Sequence, residues 1–79
     1  YKVVGQISQD IKKVMRQSPN YYNMPQYARE SLDMIANKMA RILNGNFLLN
    51  DSWHDISGYA SLVVMTNEDE EISDESYNA

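Results

Sequence analysis

Two runs of apolar residues at helical spacing, separated by Asn44-Gly45-Asn46, constrain the fold of this chain more than any other feature. In the first run an unbroken seam repeats every three or four positions: Ala28, Leu32, Ile35, Met39 and Ile42. The second run repeats in the same way: Trp53, Ile56, Ala60 and Val63. Because an apolar stripe of this period forms one face of an α-helix, the sequence predicts helices over 25–44 and 51–66. The short break between them predicts an antiparallel hairpin.

Residues at the predicted helix ends support these boundaries. Asn23 is predicted to cap the first helix of the hairpin, with Pro25 in its first turn and Gln26 at capping-box spacing. At the other end, Gly45 is expected to take the left-handed conformation that terminates many helices. The apolar residues 47–49 are expected to fold back over the end of the hairpin.

A third, amphipathic helix is predicted over 4–17, before the hairpin. Its apolar positions recur at three- and four-residue steps: Val4, Ile7, Ile11, Val14 and Met15. Ser18-Pro19-Asn20 ends this helix, because proline cannot continue the hydrogen-bond ladder and the residue before it avoids the helical region. Residues 20–24 are predicted to form a loop. The sequence therefore predicts one all-α, three-helix domain over residues 1–67 with a C-terminal helix hairpin.

The length of the chain favours assembly into an oligomer. A single core in 79 residues supplies only about 3–5 kcal/mol, and the chain has no cysteine for disulfides. The second half of the last helix is apolar nearly all round, and such a helix is buried on every side. Gly58 inside it suggests that another backbone approaches closely. We therefore expect a homo-oligomer in which a partner subunit covers the surface that one chain leaves open.

The net charge of −4 is unevenly distributed. Six of the eleven acids lie within 68–75, which leaves residues 1–67 with seven basic and five acidic side chains and a charge of +2. We expect 68–79 to be a solvated, disordered acidic tail. The alternative is a tail that docks on a basic partner or mimics nucleic acid. Direct nucleic-acid binding is disfavoured, because the body is nearly neutral and the tail repels phosphates.

Membrane insertion and secretion are not indicated by the sequence. The longest nearly apolar stretch, 59–65, is far shorter than the roughly 20 residues of a membrane span. No signal-peptide pattern opens the chain. The absence of cysteine fits a reducing compartment. These features predict a soluble protein in the cytoplasm.

Asp51 and Asp55 are the first candidates for a binding site. Four residues apart, they share a helix face, and two carboxylates so placed can hold Mg²⁺ beside the phosphates of a nucleotide. Lys38 and Arg41 on the preceding helix would meet those phosphates. The alternative is structural: the acids oppose the helix dipole, worth about 0.3–1 kcal/mol, and pair with the basic residues across the hairpin. The helical wheel places both acids away from the Trp53 seam.

Histidine and tyrosine are two further residue types that could take part in binding or catalysis. His54 is the only histidine, which excludes a multi-histidine metal site, and it is expected to be a partly exposed helix residue, with a general base or phosphate contact as the alternative. Tyr21, Tyr22 and Tyr27 are expected to pack in or near the loop, with stacking on a base as the alternative.

Two segments resemble a pattern of small phage and prophage domains that are distantly similar to the all-α MazG-type nucleoside triphosphate pyrophosphohydrolases. They are 38–43, Lys-Met-Ala-Arg-Ile-Leu, and 51–60, Asp-Ser-Trp-His-Asp-Ile-Ser-Gly-Tyr-Ala. The resemblance extends over about 25–66. It implies a helical bundle that forms a dimer or larger oligomer and, if phage-encoded, works in the host cytoplasm.

The resemblance also implies a ligand set. Asp51 and Asp55 match the acidic pair that holds Mg²⁺, and Lys38 and Arg41 match the basic residues that hold the nucleotide. MazG-type enzymes carry a paired-glutamate motif on an earlier helix, and two acids at three-residue spacing are the candidates here: Glu30 and Asp33.

Two functions are carried forward from the sequence. The first is a phage-type domain that binds, and in its enzymatic form hydrolyses, a nucleotide with Mg²⁺ at a subunit interface. The second is a non-enzymatic interaction or host-inhibitory module that acts through the apolar face of the last helix and the acidic tail.

Overall fold

Four helices make up the fold in a computed structural model that describes residues 3–69. They are α1 (Val4–Arg16), α2 (Pro19–Asn23), α3 (Gln26–Leu43) and α4 (Asp51–Asp69). The prediction of an all-α domain with a C-terminal helix hairpin is confirmed. Within the described range, no helix combines the length and apolarity needed to cross a membrane.

Most of the segment predicted as a loop over 20–24 belongs to the short helix α2 instead, and only Met24 is extended. Ser18 has an extended backbone at the N-cap, with φ −82° and ψ 123°, and Pro19 is the first helical residue. A proline suits that position, because its φ is fixed near the helical value and its missing N–H would have no partner there. The same proline therefore ends α1 and begins α2.

The predicted capping box at the start of α3 is also wrong. Asn23 belongs to α2, and Pro25 occupies the N-cap of α3 without a side-chain hydrogen bond. The Pro25 carbonyl accepts hydrogen bonds from the N–H groups of Ala28 and Arg29, both at 3.1 Å. An extended proline fits here, because the N-cap needs a non-helical backbone and contributes its carbonyl to the first turn.

The ends of the hairpin helices differ from prediction in two respects. No glycine between residues 3 and 69 has a positive φ, so Gly45 is not a left-handed cap. A Cβ at Gly45 would lie only 3.0 Å from the Arg41 carbonyl oxygen, a tighter contact than most Cβ atoms make, so glycine suits this position because of the limited space. At its far end α4 continues to Asp69, so Glu68 and Asp69 are helical and not part of a disordered tail. The remainder of the predicted tail, 70–79, lies outside the described residues.

α3 lies between α1 and α4, which flank it and make little contact with each other. On α3, Asp33 contacts Arg16 of α1, and Lys38 contacts Asp55 of α4. Five residues of helix rotate the chain by roughly 140°, so these contacts lie on nearly opposite sides of α3. The three long helices therefore form a single layer with α3 in the middle.

The core of this layer is small. Its buried residues are Ser8, Tyr21, Ser31, Ala36 and Ala40, and no large side chain in the described range is fully buried. Leu32 and Met39 of the predicted core seam are 37% and 41% exposed. The small residues let the flanking helices approach α3 closely, and the large residues of the seam are left between them on one open side.

Candidate functional site

Two apolar grooves lie between α3 and α4 on the same side of the layer. The loop-end groove, of about 270 Å³, is lined by Met39, Ile42, Leu43, Trp53 and Ile56. The far groove, of about 280 Å³, lies nearer the start of α3 and is lined mainly by Met24, Ala28, Leu32, Ile35, Ala60 and Val63. We call this side of the layer the apolar side. It carries both seams that the sequence predicts.

α1 turns its apolar residues toward the same side. The guanidinium of Arg16 hydrogen-bonds the Asp33 carboxylate at 3.2 Å, which fixes the rotation of α1 against α3. Ile7 lies nine residues before Arg16, roughly 180° around the helix, and therefore points to the opposite side of α1. Because Arg16 lies beside Asp33, Ile7 points away from Asp33. Leu32 and Met39 of α3 also lie on the side away from Asp33. Apolar residues of all three long helices therefore lie on the apolar side.

This side is uncovered within the described chain. Val14 is 65% exposed, Leu43 69% and Trp53 48%. Scattered apolar residues are ordinary on a protein surface, whereas contiguous apolar patches mark interaction sites. The two grooves and the exposed side chains around them form such a patch.

The hairpin tip, Phe47-Leu48-Leu49, extends this patch beyond the end of α3. The three side chains are 64%, 70% and 65% exposed, so the prediction that they fold back over the hairpin is wrong. Asn46 shapes the turn: its Oδ1 accepts from the Leu48 N–H at 2.9 Å. Trp53 Nε1 donates to the Phe47 carbonyl at 2.9 Å. The backbone is thus held by polar contacts, while the apolar side chains face outward.

The predicted charged residues lie on the opposite side of the hairpin, which we call the charged side. Lys38 Nζ lies 2.9 Å from Asp55 Oδ2, with 20% of the lysine side chain and 49% of the aspartate side chain exposed. This pairing across the hairpin is the structural alternative given by the sequence. At the far end, the Tyr27 hydroxyl donates to Asn67 Oδ1. The two contacts fix the antiparallel register.

Arg41 and Asp51 join this pair on the charged side at the loop end. Arg41 is one turn after Lys38, and Asp51 is one turn before Asp55, so each shares a helix face with a member of the ion pair. Both are exposed. Neither side chain has a hydrogen bond or ion pair with another described residue. Four of the six predicted site residues are therefore brought to one place.

Glu30 and Asp33 are not brought to that place. Glu30 is eight residues before Lys38, roughly 12 Å along α3, and accepts a hydrogen bond from Gln26 at 2.8 Å. Asp33 faces α1 and accepts from Arg16 and from the Tyr21 hydroxyl, the latter at 3.1 Å. Across residues 3–69, no group of three or more His, Cys, Asp or Glu is placed to hold a metal ion.

The remaining candidates have structural surroundings. His54 is exposed, as expected. Tyr21 is buried beneath Arg16, whose guanidinium lies 5.6 Å from its ring centroid. Tyr22 meets the Tyr21 ring edge-on at 5.1 Å. The packing role predicted for Tyr21 is confirmed, and its hydroxyl links α2 to α3 through Asp33.

No protein-family model, curated protein or solved structure matches this chain. The resemblance to MazG-type domains therefore rests on the two segments quoted above.

Proposed function

We propose that this chain is a self-assembling interaction module in which the apolar side of one copy packs on the apolar side of another. The single observation that carries the proposal is the one-layer fold. Protein domains ordinarily bury an apolar face between at least two layers of secondary structure. Here the second layer is missing from the described chain, and a second copy supplies it.

The chemistry of the two grooves favours a second copy as the partner. No charged residue lines either groove. When a surface packs on a copy of itself across a two-fold axis, each residue near the axis meets its own equivalent. A charged surface would then place like charges together, whereas this one places apolar side chains together. Stable interfaces of standard size bury about 800 Å² on each partner, which is a small part of the 5961 Å² of accessible surface of this chain.

A pair of charge substitutions on opposite sides of the hairpin tests this proposal. Met39→Lys introduces a cation at the centre of the apolar side, and we expect it to shift the protein to a monomer in sedimentation velocity. Leu62→Lys is the matched control, since Leu62 is 56% exposed but lies on the charged side. We expect it to leave assembly intact. Loss of assembly in Leu62→Lys with retention in Met39→Lys would place the interface on the charged side instead.

Nucleotide binding is a second candidate, supported by the cluster at the loop end of the charged side. Arg41 is exposed and unpartnered within residues 3–69, and a guanidinium binds phosphate oxygens through two parallel hydrogen bonds. Asp51 and Asp55 are the carboxylates that would hold Mg²⁺, which commonly takes one or two carboxylates plus phosphate oxygens and waters. Asp55 would then exchange Lys38 for the metal. The positions of Glu30 and Asp33 do not add to this ligand set within one chain.

The nucleotide proposal is tested by thermal shift and pyrophosphate release with a panel of nucleoside triphosphates and Mg²⁺. We expect a stabilising shift that Arg41→Ala abolishes. Arg29→Ala, on the same helix but away from α4, is the matched control and should keep the shift. Absence of both a shift and pyrophosphate release for the unmodified protein would exclude this function and leave the assembly proposal standing.

A further inference from the structure

The hairpin tip is the strongest apolar feature that the fold of one chain does not use. Its backbone is held by Asn46 and by the Trp53 indole. The Phe47, Leu48 and Leu49 side chains remain largely exposed. A turn whose backbone is held by polar contacts while its apolar side chains stay exposed is a pre-organised binding element, because the turn loses little conformational freedom when it binds.

We propose that the hairpin tip of each copy inserts into the far groove of the other, so that the two layers pack antiparallel with two reciprocal tip-in-groove contacts. This inference rests on the self-assembly proposed above and specifies its geometry. The far groove is a suitable receptor: it is apolar, about 280 Å³ in volume and open on the described chain.

The spacing along α3 fits this arrangement. Leu43, where the tip leaves α3, is four residues or about 6 Å beyond Met39. Leu32, in the far groove, is seven residues or about 10 Å before Met39. A two-fold axis near Met39, lying in the interface between the two layers and perpendicular to α3, therefore carries the tip of one copy to the far groove of the other. The hydrogen bond from Trp53 to the Phe47 carbonyl keeps the tip on the apolar side, from which it can reach the far groove of the other copy.

The symmetry favours a second copy over an unrelated partner. Each chain has one tip and one far groove, and a two-fold dimer fills both grooves with both tips at once and closes the assembly. A parallel arrangement would place the two tips together and leave both far grooves open.

Cysteine cross-linking tests the arrangement directly, because the chain has no native cysteine. Leu48→Cys and Ala28→Cys are purified separately, mixed, and oxidised mildly. We expect a covalent heterodimer, since the tip and the far groove of different copies are in contact. Disulfides need Cα atoms within about 7 Å. Leu48→Cys alone is the control, and it should give no covalent dimer, because the antiparallel arrangement holds the two tips apart.

Each outcome has a distinct meaning. A covalent dimer of Leu48→Cys alone, without the mixed product, would show tips side by side and overturn the tip-in-groove contact. A noncovalent dimer with neither product would also overturn it while leaving self-assembly intact. Monomers throughout would contradict self-assembly itself and the inference with it.

A second measurement keeps the inference testable if the cysteine variants fold poorly. We expect Leu48→Ser to raise the dimer dissociation constant about tenfold or more, the size of effect given by a buried apolar contact at an interface. Leu62→Ser is the matched control on the charged side and should leave the dissociation constant unchanged. An unchanged dissociation constant for Leu48→Ser would overturn the inference. Binding of the tip to lipid vesicles by a stable monomer would overturn it as well.

Discussion

The substitution Asp33→Ala distinguishes between two roles of the Asp33 carboxylate: a structural contact and a metal ligand. Asp33 accepts hydrogen bonds from Arg16 at 3.2 Å and from the buried Tyr21 hydroxyl at 3.1 Å. These contacts tie α1 and α2 to α3. If Asp33 serves the fold in this way, Asp33→Ala must lower the free energy of unfolding.

Two contacts of Asp33 determine the expected loss in the free energy of unfolding. The hydrogen bond from the tyrosine to a charged acceptor contributes about 1.5–3 kcal/mol, because Tyr21 is buried and its hydroxyl loses its only described partner. The Arg16 pair is more exposed and adds about 0.2–1 kcal/mol. We therefore expect a total loss of about 2–4 kcal/mol, or roughly 8–32 °C in Tm for a domain of this size.

Urea unfolding at one fixed protein concentration measures this loss, since assembly makes stability depend on concentration. Glu30→Ala, on the same helix and with only an exposed Gln26 contact, is the matched control and should cost less than about 0.5 kcal/mol. Tyr21→Phe combined with Asp33→Ala should show a coupling energy of about 1 kcal/mol or more. Equal stability of Asp33→Ala and Glu30→Ala would refute the structural role and return Asp33 to the candidate metal ligands.

Two further pairs of substitutions test the packing around α3 and α4. Ala36→Leu should cost about 1–3 kcal/mol, because it wedges α1 away from α3 at a fully buried position, while Asn37→Leu beside it should cost little in the same urea assay. Gly58→Ala should stabilise the fold by about 1 kcal/mol and so raise the Tm, because alanine has the higher helix propensity and a Cβ there meets open space. Gly45→Ala should lower the Tm, because its Cβ would crowd the Arg41 carbonyl oxygen. A lower Tm for Gly58→Ala would indicate close contact with a second copy.

The hairpin could be predicted from the sequence because its signals are local. The repeats of Leu32 and Met39 on one helix and of Trp53 and Ile56 on the other identify helices and their apolar faces without any tertiary information. The pairing of Lys38 with Asp55 was one of two alternatives, since antiparallel neighbours with opposite charges at matching depth are expected to meet.

The core could not be predicted from the same signals. A helical repeat identifies which side is apolar, but it does not say whether the covering partner belongs to the same chain. Ala36 and Ala40 form the actual contact face, and small residues carry little weight in a pattern of hydrophobicity. The sequence suggests Asp33 as a candidate ligand, because no sequence rule places Arg16 and Tyr21 beside it.

The short helix α2 and the hairpin tip show two further limits. Pro19 is a helix terminator when read from α1 and a good first residue when read from α2, so its position alone is ambiguous. The sequence predicts that the tip folds back, because apolar loop residues are usually covered. The structure shows that Asn46 and Trp53 hold its backbone without covering its side chains.

The molar mass in solution tests the central claim most directly. Sedimentation equilibrium of the unmodified protein over a dilution series should give twice the 9.1 kDa mass of the chain, with dissociation toward a monomer at the lowest concentrations. Met39→Lys should give the mass of one chain at concentrations where Leu62→Lys remains dimeric. A stable monomer of the unmodified protein at concentrations of tens of micromolar, well above the affinities of ordinary specific interfaces, would contradict the account.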